Sequence, residues 1–287
     1  MEKIITISKN SFKYLSDVLR TFFRGELNIL LAVGMILGYV NRFIKIGIYP
    51  RRVTMPNGTS FFTNNASTIS INAFDHYVKK EYSQHPDFIP KKSWLVLDVG
   101  ACIGLYTIYA SKLVGDQGCV IAFEPNPYSY YWLKKNIILN KLSNVQVFPI
   151  ALADYDGFSD FYCLIEGNIG ESSLLSKHIL RSGRNYILIK VLTKRLDSLL
   201  EKNRNVLSKY DQVDLVKIDV EGAELRVLKG SDKFLQKQSI LRFIIECHLN
   251  LTSFPSIMDF LKTYGYTIER VVTFSKVKKI IYAKATR

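Results

Sequence analysis

Four short runs of this sequence combine residue types and spacings that could do chemistry. Leu95-Val-Leu-Asp-Val-Gly-Ala-Cys-Ile-Gly104 reads as a buried strand entering a glycine turn and then a helix. Gly100 permits a tight turn and close approach of a ligand, and the helix beyond Gly104 offers free amide donors with a partial positive charge. Ala101 belongs to the same turn. The spacing is G-x-x-x-G, not the G-x-G-x-x-G of dinucleotide sites, and Asp98 just ahead of it would repel a pyrophosphate. The same acid could face a positively charged sulfonium ligand. Glu124-Pro125 ends a second apolar strand, where a carboxylate can accept hydrogen bonds from both hydroxyls of a ribose. Leu-Val-Lys-Ile then delivers Asp219 and Glu221 to the carboxyl end of a strand, the edge where open α/β sheets bind ligands. In Phe243-Ile-Ile-Glu-Cys-His248, alternation puts Glu246 and His248 on one strand face. His248 could take a proton from an acceptor hydroxyl near neutral pH, and an acid in a helix's first turn is the competing role for Glu221.

The elements needed to hold these groups are legible as an alternation that begins near Lys91. Strands are expected at Trp94–Val99, Cys119–Phe123, Val145–Ile150, Leu215–Asp219 and Arg242–Cys247. Helices are expected over Gly104–Val114, from Pro127, from Glu221 to Gly230, and over Ser256–Tyr264. Strand-length and helix-length runs in this order predict βαβ units and a mostly parallel sheet. Tyr266–Val272 and Lys279–Ala283 read as terminal strands. A β-rich excursion, Phe158–Leu164 and Tyr186–Leu192, interrupts the alternation after the Asp156-Gly157 turn signal. Before Lys91, residues 70–82 have helical character and Pro86 and Pro90 stop it.

The chain has 287 residues, 48% of them hydrophobic, which suits one large α/β domain with an extension and excludes general disorder. Its 39 Lys+Arg against 25 Asp+Glu give a formal net charge of +14, favouring anionic partners without naming one. Residues 1–60 hold nine basic side chains against three acidic ones. Ile29–Val40 is a run of twelve uncharged residues, where a spanning helix needs about 20. It suits a packed helix or one lying on a membrane surface. The four cysteines, Cys102, Cys119, Cys163 and Cys247, form no C-x-x-C pair, so neither zinc nor a disulfide framework is expected and a reducing cytoplasm fits.

With these residues in order, the chain resembles the FkbM-family methyltransferases. The resemblance spans about Lys91 to Asn250 and rests on DVGACIG (98–104), FEPNP (123–127), IALADYDG (150–157), LDSLL (196–200), LVKIDVEGAELRVLKG (215–230) and IIECH (244–248). It implies a class I fold with S-adenosylmethionine over Asp98, Gly100, Ala101, Gly104, Glu124 and Pro125. It also places Ala151 and Asp154 near the adenine and Asp219 at the catalytic mouth, and implies O-methylation of hydroxyls on sugars, glycolipids or other natural products. Cys102 stands where the family usually has Asn, and Glu81-Tyr82 faintly echoes a family acid–Tyr pair.

The expectation is therefore a doubly wound, Rossmann-like α/β domain at 91–287. Its seven-stranded sheet is mostly parallel, and a basic, largely helical extension occupies 1–90. Asp219, Glu221 and His248 are the catalytic candidates, working mainly by in-line alignment of the acceptor. No metal is required, although Asp219, Glu221, Glu246 and His248 would suit a divalent ion if they converge. The expected acceptor is a small molecule or glycan, with no nucleic acid partner, and the N-terminal region is a candidate contact with an anionic membrane. The rivals are an RNA methyltransferase, a binding protein that keeps the fold without turnover, and a dinucleotide enzyme.

Overall fold

The computed structural model describes residues 9–44, 51–55, 57–62, 72–73, 75–77, 79–164, 169–175, 185–202 and 209–286. The chain divides into two compact units, Met1–Lys80 and Glu81–Arg287.

In the first unit, α1 (Lys9–Phe23) and α2 (Ile29–Ile44) form a helical hairpin, and β1 (Arg52–Thr54) pairs antiparallel with β2 (Ser60–Phe62). Asn28 caps α2, its side-chain oxygen accepting from the Leu31 amide at 2.8 Å. Val18, Leu31, Ala32 and Met35 are buried, while Leu19, Phe23, Ile29, Leu30 and Val33 stay exposed around the hairpin turn. Among the described residues no helix is long and apolar enough to cross a membrane. The helix expected over 70–82 lies partly outside the described residues, and its last part, Glu81–Ser83, is a single 3₁₀ turn.

The second unit starts ten residues before the expected boundary at Lys91, because Tyr82 and Phe88 are buried in its core beside Val96, Tyr106 and Tyr282. Its elements run β3 (Leu95–Val99), α3 (Leu105–Val114), β4 (Cys119–Phe123), α4 (Pro127–Leu139), β5 (Val145–Phe148), β6 (Ala151–Leu152), β7 (Gly157–Leu164) and β8 (Tyr186–Lys194). They continue with α5 (Leu196–Lys202), β9 (Leu215–Ile218), α6 (Glu224–Lys229), α7 (Asp232–Gln236), β10 (Arg242–His248), α8 (Phe254–Thr263), β11 (Tyr266–Thr273) and β12 (Lys278–Ala285).

Seven strands make one sheet in the order β11-β12-β10-β9-β3-β4-β5. The pairs from β10 to β5 are parallel, and β12 pairs antiparallel with β10 and β11. β3, β4 and β9 are buried along their whole length, as expected of parallel strands covered on both faces. The chain leaves β3 toward β4 and β5, then returns to β9 on the other side of β3. This reversal opens a crevice at the carboxyl ends of β3 and β9, the place where doubly wound sheets hold ligands. The β-rich excursion folds as a separate three-stranded sheet, β6-β8-β7, around Ala151, Phe161, Cys163 and Val191.

Candidate active site

The glycine turn after β3 is shaped by three left-handed residues, Gly100 (φ 80°), Cys102 (φ 50°) and Gly104 (φ 93°). The amides of Gly100 and Ala101 both donate to the Phe123 carbonyl, at 3.1 and 3.0 Å, which ties the turn to the end of β4. A Cβ on Gly100 would lie 1.8 Å from the Asp219 carbonyl oxygen, so only glycine lets the β3 and β9 ends close on each other. The Asp219 amide completes that junction by donating to the Val99 carbonyl at 3.0 Å. Cys102 occupies a conformation that Asn tolerates better than Cys, which gives its departure from the family pattern a backbone cost of about 1 kcal/mol. Its thiol, pushed up to about 12 by burial and the nearby Glu124 carboxylate, stays protonated.

Glu124 is buried, and each of its carboxylate oxygens accepts one backbone amide: Cys102 at 2.7 Å and Asn126 at 2.8 Å. Burial pushes its carboxyl up to about 7 against the opposing pull of those two amides. Asn126, following Pro125, caps α4 through the amides of Tyr128 and Ser129, so the Glu-Pro-Asn-Pro run fixes both the acid and the next helix.

Asp98, expected to face the cationic end of a ligand, is fully buried and spends its charge inside the protein. Its Oδ2 accepts from the Thr107 hydroxyl at 2.6 Å and its Oδ1 lies 3.2 Å from the Lys217 ammonium. Lys217 also donates to the Gly100 carbonyl at 2.9 Å and lies 3.6 Å from Asp219 Oδ2. Burial opposes its charge, but Asp98, Asp219 and Glu246 hold its pKa above the ordinary lysine value. Sequence reasoning passed over Lys217 inside the quoted Leu-Val-Lys-Ile run. The signal was available, since a lysine in a fully buried strand needs an acidic partner.

On the other side of the crevice, Asp219, Glu221, Glu246 and His248 come together. The helix expected from Glu221 begins only at Glu224, because Glu221 (φ 53°) and Gly222 (φ 101°) are both left-handed. Glu221 is therefore not an acid of a helix's first turn. Its Oε2 lies 3.2 Å from His248 Nε2, and its carbonyl accepts from the Ser173 hydroxyl at 2.7 Å. That bond brings the segment between β7 and β8 to the site. His248 Nε2 lies 3.5 Å from Glu246 Oε1 and 3.9 Å from Asp219 Oδ1, and Nδ1 lies 3.0 Å from Oε1 of the fully buried Glu224.

These surroundings change the role expected of His248. Burial disfavours its charge, but Glu221, Glu224 and Glu246 outweigh that and raise its pKa well above the ordinary value. An imidazolium already holding its proton cannot take another from a hydroxyl. The carboxylates are better placed: burial and Glu246 raise Asp219, and burial raises Glu221 despite His248. Glu246 resists burial and is held well below the usual range by Lys278, His248 and Tyr82.

Tyr82 and Glu81 complete the cluster from outside the span of the sequence motifs. The Tyr82 hydroxyl lies 2.7 Å from Glu246 Oε2 and 3.1 Å from Asp219 Oδ2, and burial with these carboxylates keeps it protonated. Glu81 Oε2 lies 2.7 Å from Lys278, which lies 3.2 Å from Glu246 Oε1. Of the remaining expected residues, Ala151 is buried in β6, and Asp154 is engaged by Arg226 at 3.0 Å. Asp154 has no hydrogen bond or ion pair with the glycine turn or the carboxylate cluster.

A seven-stranded sheet in which β12 alone runs against the others, a glycine turn at the reversal point and an acid at the end of the next strand define the class I methyltransferase fold. Residues 98–268 match the family described as methyltransferase FkbM domain, and the chain belongs to that family. It is accordingly an S-adenosylmethionine-dependent methyltransferase. Among curated proteins it is similar to Methyltransferase 1 of Beauveria bassiana, 28% identical over 196 residues, covering 63% of this chain and 75% of that protein. Methyltransferase sdnD of Sordaria araneosa is also 28% identical, over 194 residues, with 61% and 74% covered. A solved structure of methyltransferase FkbM from Methylobacillus flagellatus KT aligns over 76% of this chain and 54% of its own, at 13% identity and a TM-score of 0.48.

The residues at the crevice fit such a cofactor. Asp219 Oδ1 is buried without a hydrogen-bond partner, and Asp219, Glu221, Glu224, Glu246, Glu81, Asp98 and Glu124 outnumber Lys217, Lys278 and His248. Burial pushes Glu124, Asp219 and Glu221 toward their neutral forms, and a cation brought among them would favour the charged forms, which suits a ligand that carries a sulfonium and an ammonium group.

Proposed function

We propose that this enzyme methylates a hydroxyl oxygen of a sugar, glycan or glycolipid. The observation that carries this reading is the junction of Gly100 with Asp219, which sets a carboxylate of raised pKa directly beside the cofactor turn. S-adenosylmethionine supplies a methyl group already activated on sulfur, with a neutral thioether as leaving group. The protein's own task is then to bind and align. Glu124 retains lone pairs for ribose hydroxyls, and the turn amides beyond Gly104 fix the ligand's approach. Asp219, held by Lys217 and Tyr82, accepts the proton of the acceptor hydroxyl, while Glu221 and the His248 imidazolium hydrogen-bond neighbouring hydroxyls of a polyol.

The test is methyl transfer from labelled S-adenosylmethionine to a panel of glycans, with the methylated position assigned by NMR. Asp219→Asn is expected to lower turnover by about 10²–10³-fold while cofactor affinity, measured by calorimetry, changes by less than about threefold. Label entering RNA but no hydroxylated glycan would overturn the acceptor assignment, and unchanged turnover in Asp219→Asn would remove its role as base.

A lipid-linked acceptor is favoured by the helical hairpin, where Phe23 and Leu30 are each 80% exposed beside Arg20 and Arg24. Apolar side chains flanked by cations suit an anionic membrane surface. Phe23→Asp with Leu30→Asp should abolish cosedimentation with phosphatidylserine vesicles and leave the fold's circular dichroism unchanged. Equal sedimentation of native and variant chains would end this reading.

A further inference from the structure

We propose that Asp219, Glu221 and His248 form a divalent-cation site beside the cofactor turn. The site is a property of these residues alone; its catalytic use rests on the hydroxyl-methylating reading. Each residue offers one ligand atom, and the three atoms lie within 4.8 Å of one another. Around a six-coordinate cation with bonds of about 2.1 Å, adjacent ligand atoms stand about 3 Å apart and opposite ones about 4.2 Å. The 3.2 Å from His248 Nε2 to Glu221 Oε2 and the 3.9 Å to Asp219 Oδ1 fall across that range.

Two further observations point to a ligand. Asp219 Oδ2 is within reach of Tyr82 and Lys217, yet its Oδ1, the oxygen nearest the imidazole, is buried with no hydrogen-bond partner. On the far side of the ring, His248 Nδ1 faces Glu224 Oε1. Glu224 is fully buried, anchored by the Gly222 amide at 2.8 Å, and has its other oxygen unpartnered. A buried carboxylate behind one ring nitrogen is how metal-binding histidines are oriented: it fixes the tautomer that leaves Nε2 as the donor. The left-handed backbone at Glu221 turns its carboxylate to the same point.

Two carboxylates and one imidazole suit Mn²⁺, Mg²⁺ or Zn²⁺. Because Asp219 touches Gly100 through its backbone, an ion here would lie next to the cofactor turn. Binding would release the Nε2 proton of His248 to solvent, so in the loaded site this nitrogen would ligate the ion instead of hydrogen-bonding the acceptor, and the ion would hold the acceptor hydroxyl and lower its pKa.

The experiment is calorimetric titration of the full chain with MnCl₂, without cofactor or acceptor, joined to pulsed EPR of the Mn²⁺-bound protein. Saturable binding of one Mn²⁺ per chain is expected, with ¹⁴N coupling from a single imidazole. Asp219→Asn and His248→Gln should each weaken binding at least about tenfold. Glu224→Gln, which acts only through the ring, should weaken it by about 10–100-fold. Glu124→Ala should leave it unchanged while weakening S-adenosylmethionine binding. Absence of saturable binding, Mn²⁺ without nitrogen coupling, or affinity indifferent to Asp219→Asn would each overturn the site. Should the variants fail to fold, the nitrogen coupling in the native chain decides alone. A chain that binds Mn²⁺ but methylates no glycan would keep the site and lose the proposed acceptor.

Discussion

The two sides of the crevice are built on opposite principles. At the ends of β3 and β4, the acids are answered by the scaffold: both Glu124 oxygens take backbone amides, and Asp98 takes Thr107 and a buried lysine. At the ends of β9 and β10, the acids mainly face one another's partners. One imidazole stands among four carboxylates, and the Asp219 oxygen that has no hydrogen bond faces His248 at 3.9 Å, whereas the corresponding Asp98 oxygen has Lys217 at 3.2 Å. A carboxylate anchored by backbone amides is held in place and offers a ligand only its remaining lone pairs, whereas one without such anchors is held only by other ionisable side chains. On the proposed function, the difference separates a surface that holds from one that reacts.

The most severe test strikes the seam between the two sides. Gly100→Ala would force a Cβ to 1.8 Å from the Asp219 carbonyl at a left-handed φ. It should cost about 5 kcal/mol or more of stability, read by urea unfolding. Survival of a native-like melt would mean that β3 and β9 can part, and that the two sides are independent.

Lys217→Met removes a cation shared by both sides and leaves the buried Asp98 without its lysine. A loss of about 3–5 kcal/mol is expected, with a further fall in turnover because Asp219 loses a neighbour. If stability drops by less than about 1 kcal/mol, the lysine does not couple the sides.

The pH dependence of Glu124 is the gentlest probe. Its folded pKa of about 7 lies above its ordinary 4.5, so the folded state holds this proton more tightly than the unfolded chain does. Its contribution to stability is thus complete below pH 4.5, declines as pH rises toward 7, and is flat above. The total decline is at most about 3 kcal/mol. Urea unfolding at pH 5 to 8 should show this slope in the native chain and lose it in Glu124→Gln. An equal slope in both would show that the backbone amides leave the acid unstrained.

The holding side was more legible in the sequence than the reactive side. Cys119–Phe123 is a strand at the expected bounds, and the turn at 100–104 follows from glycine spacing, because both depend on neighbours in the chain. The expected proximity of Glu246 and His248 also followed from strand alternation. What alternation could not show was Glu224 behind His248, 24 residues away, or Tyr82 bridging to Asp219 and Glu246 across 137 and 164 residues. The false start of the helix at Glu221 arises because the Glu-Gly-Ala-Glu run permits a helix, whereas Glu221 and Gly222 are left-handed and a Cβ on Gly222 would lie 2.7 Å from Leu251 and 2.8 Å from Leu175. Likewise the boundary at Lys91 followed the onset of alternation, whereas burial of Tyr82 and Phe88 sets the observed one.

The position of Tyr82 matters for anyone trimming or transplanting this catalyst. The family match begins at residue 98, yet the hydroxyl that bonds Asp219 and Glu246 enters sixteen residues upstream. The smallest portable version of the enzyme therefore carries an upstream segment marked only by the faint Glu81-Tyr82 echo. A fusion joined directly to Lys91 would inherit the scaffold while leaving the chemistry without one of its supports.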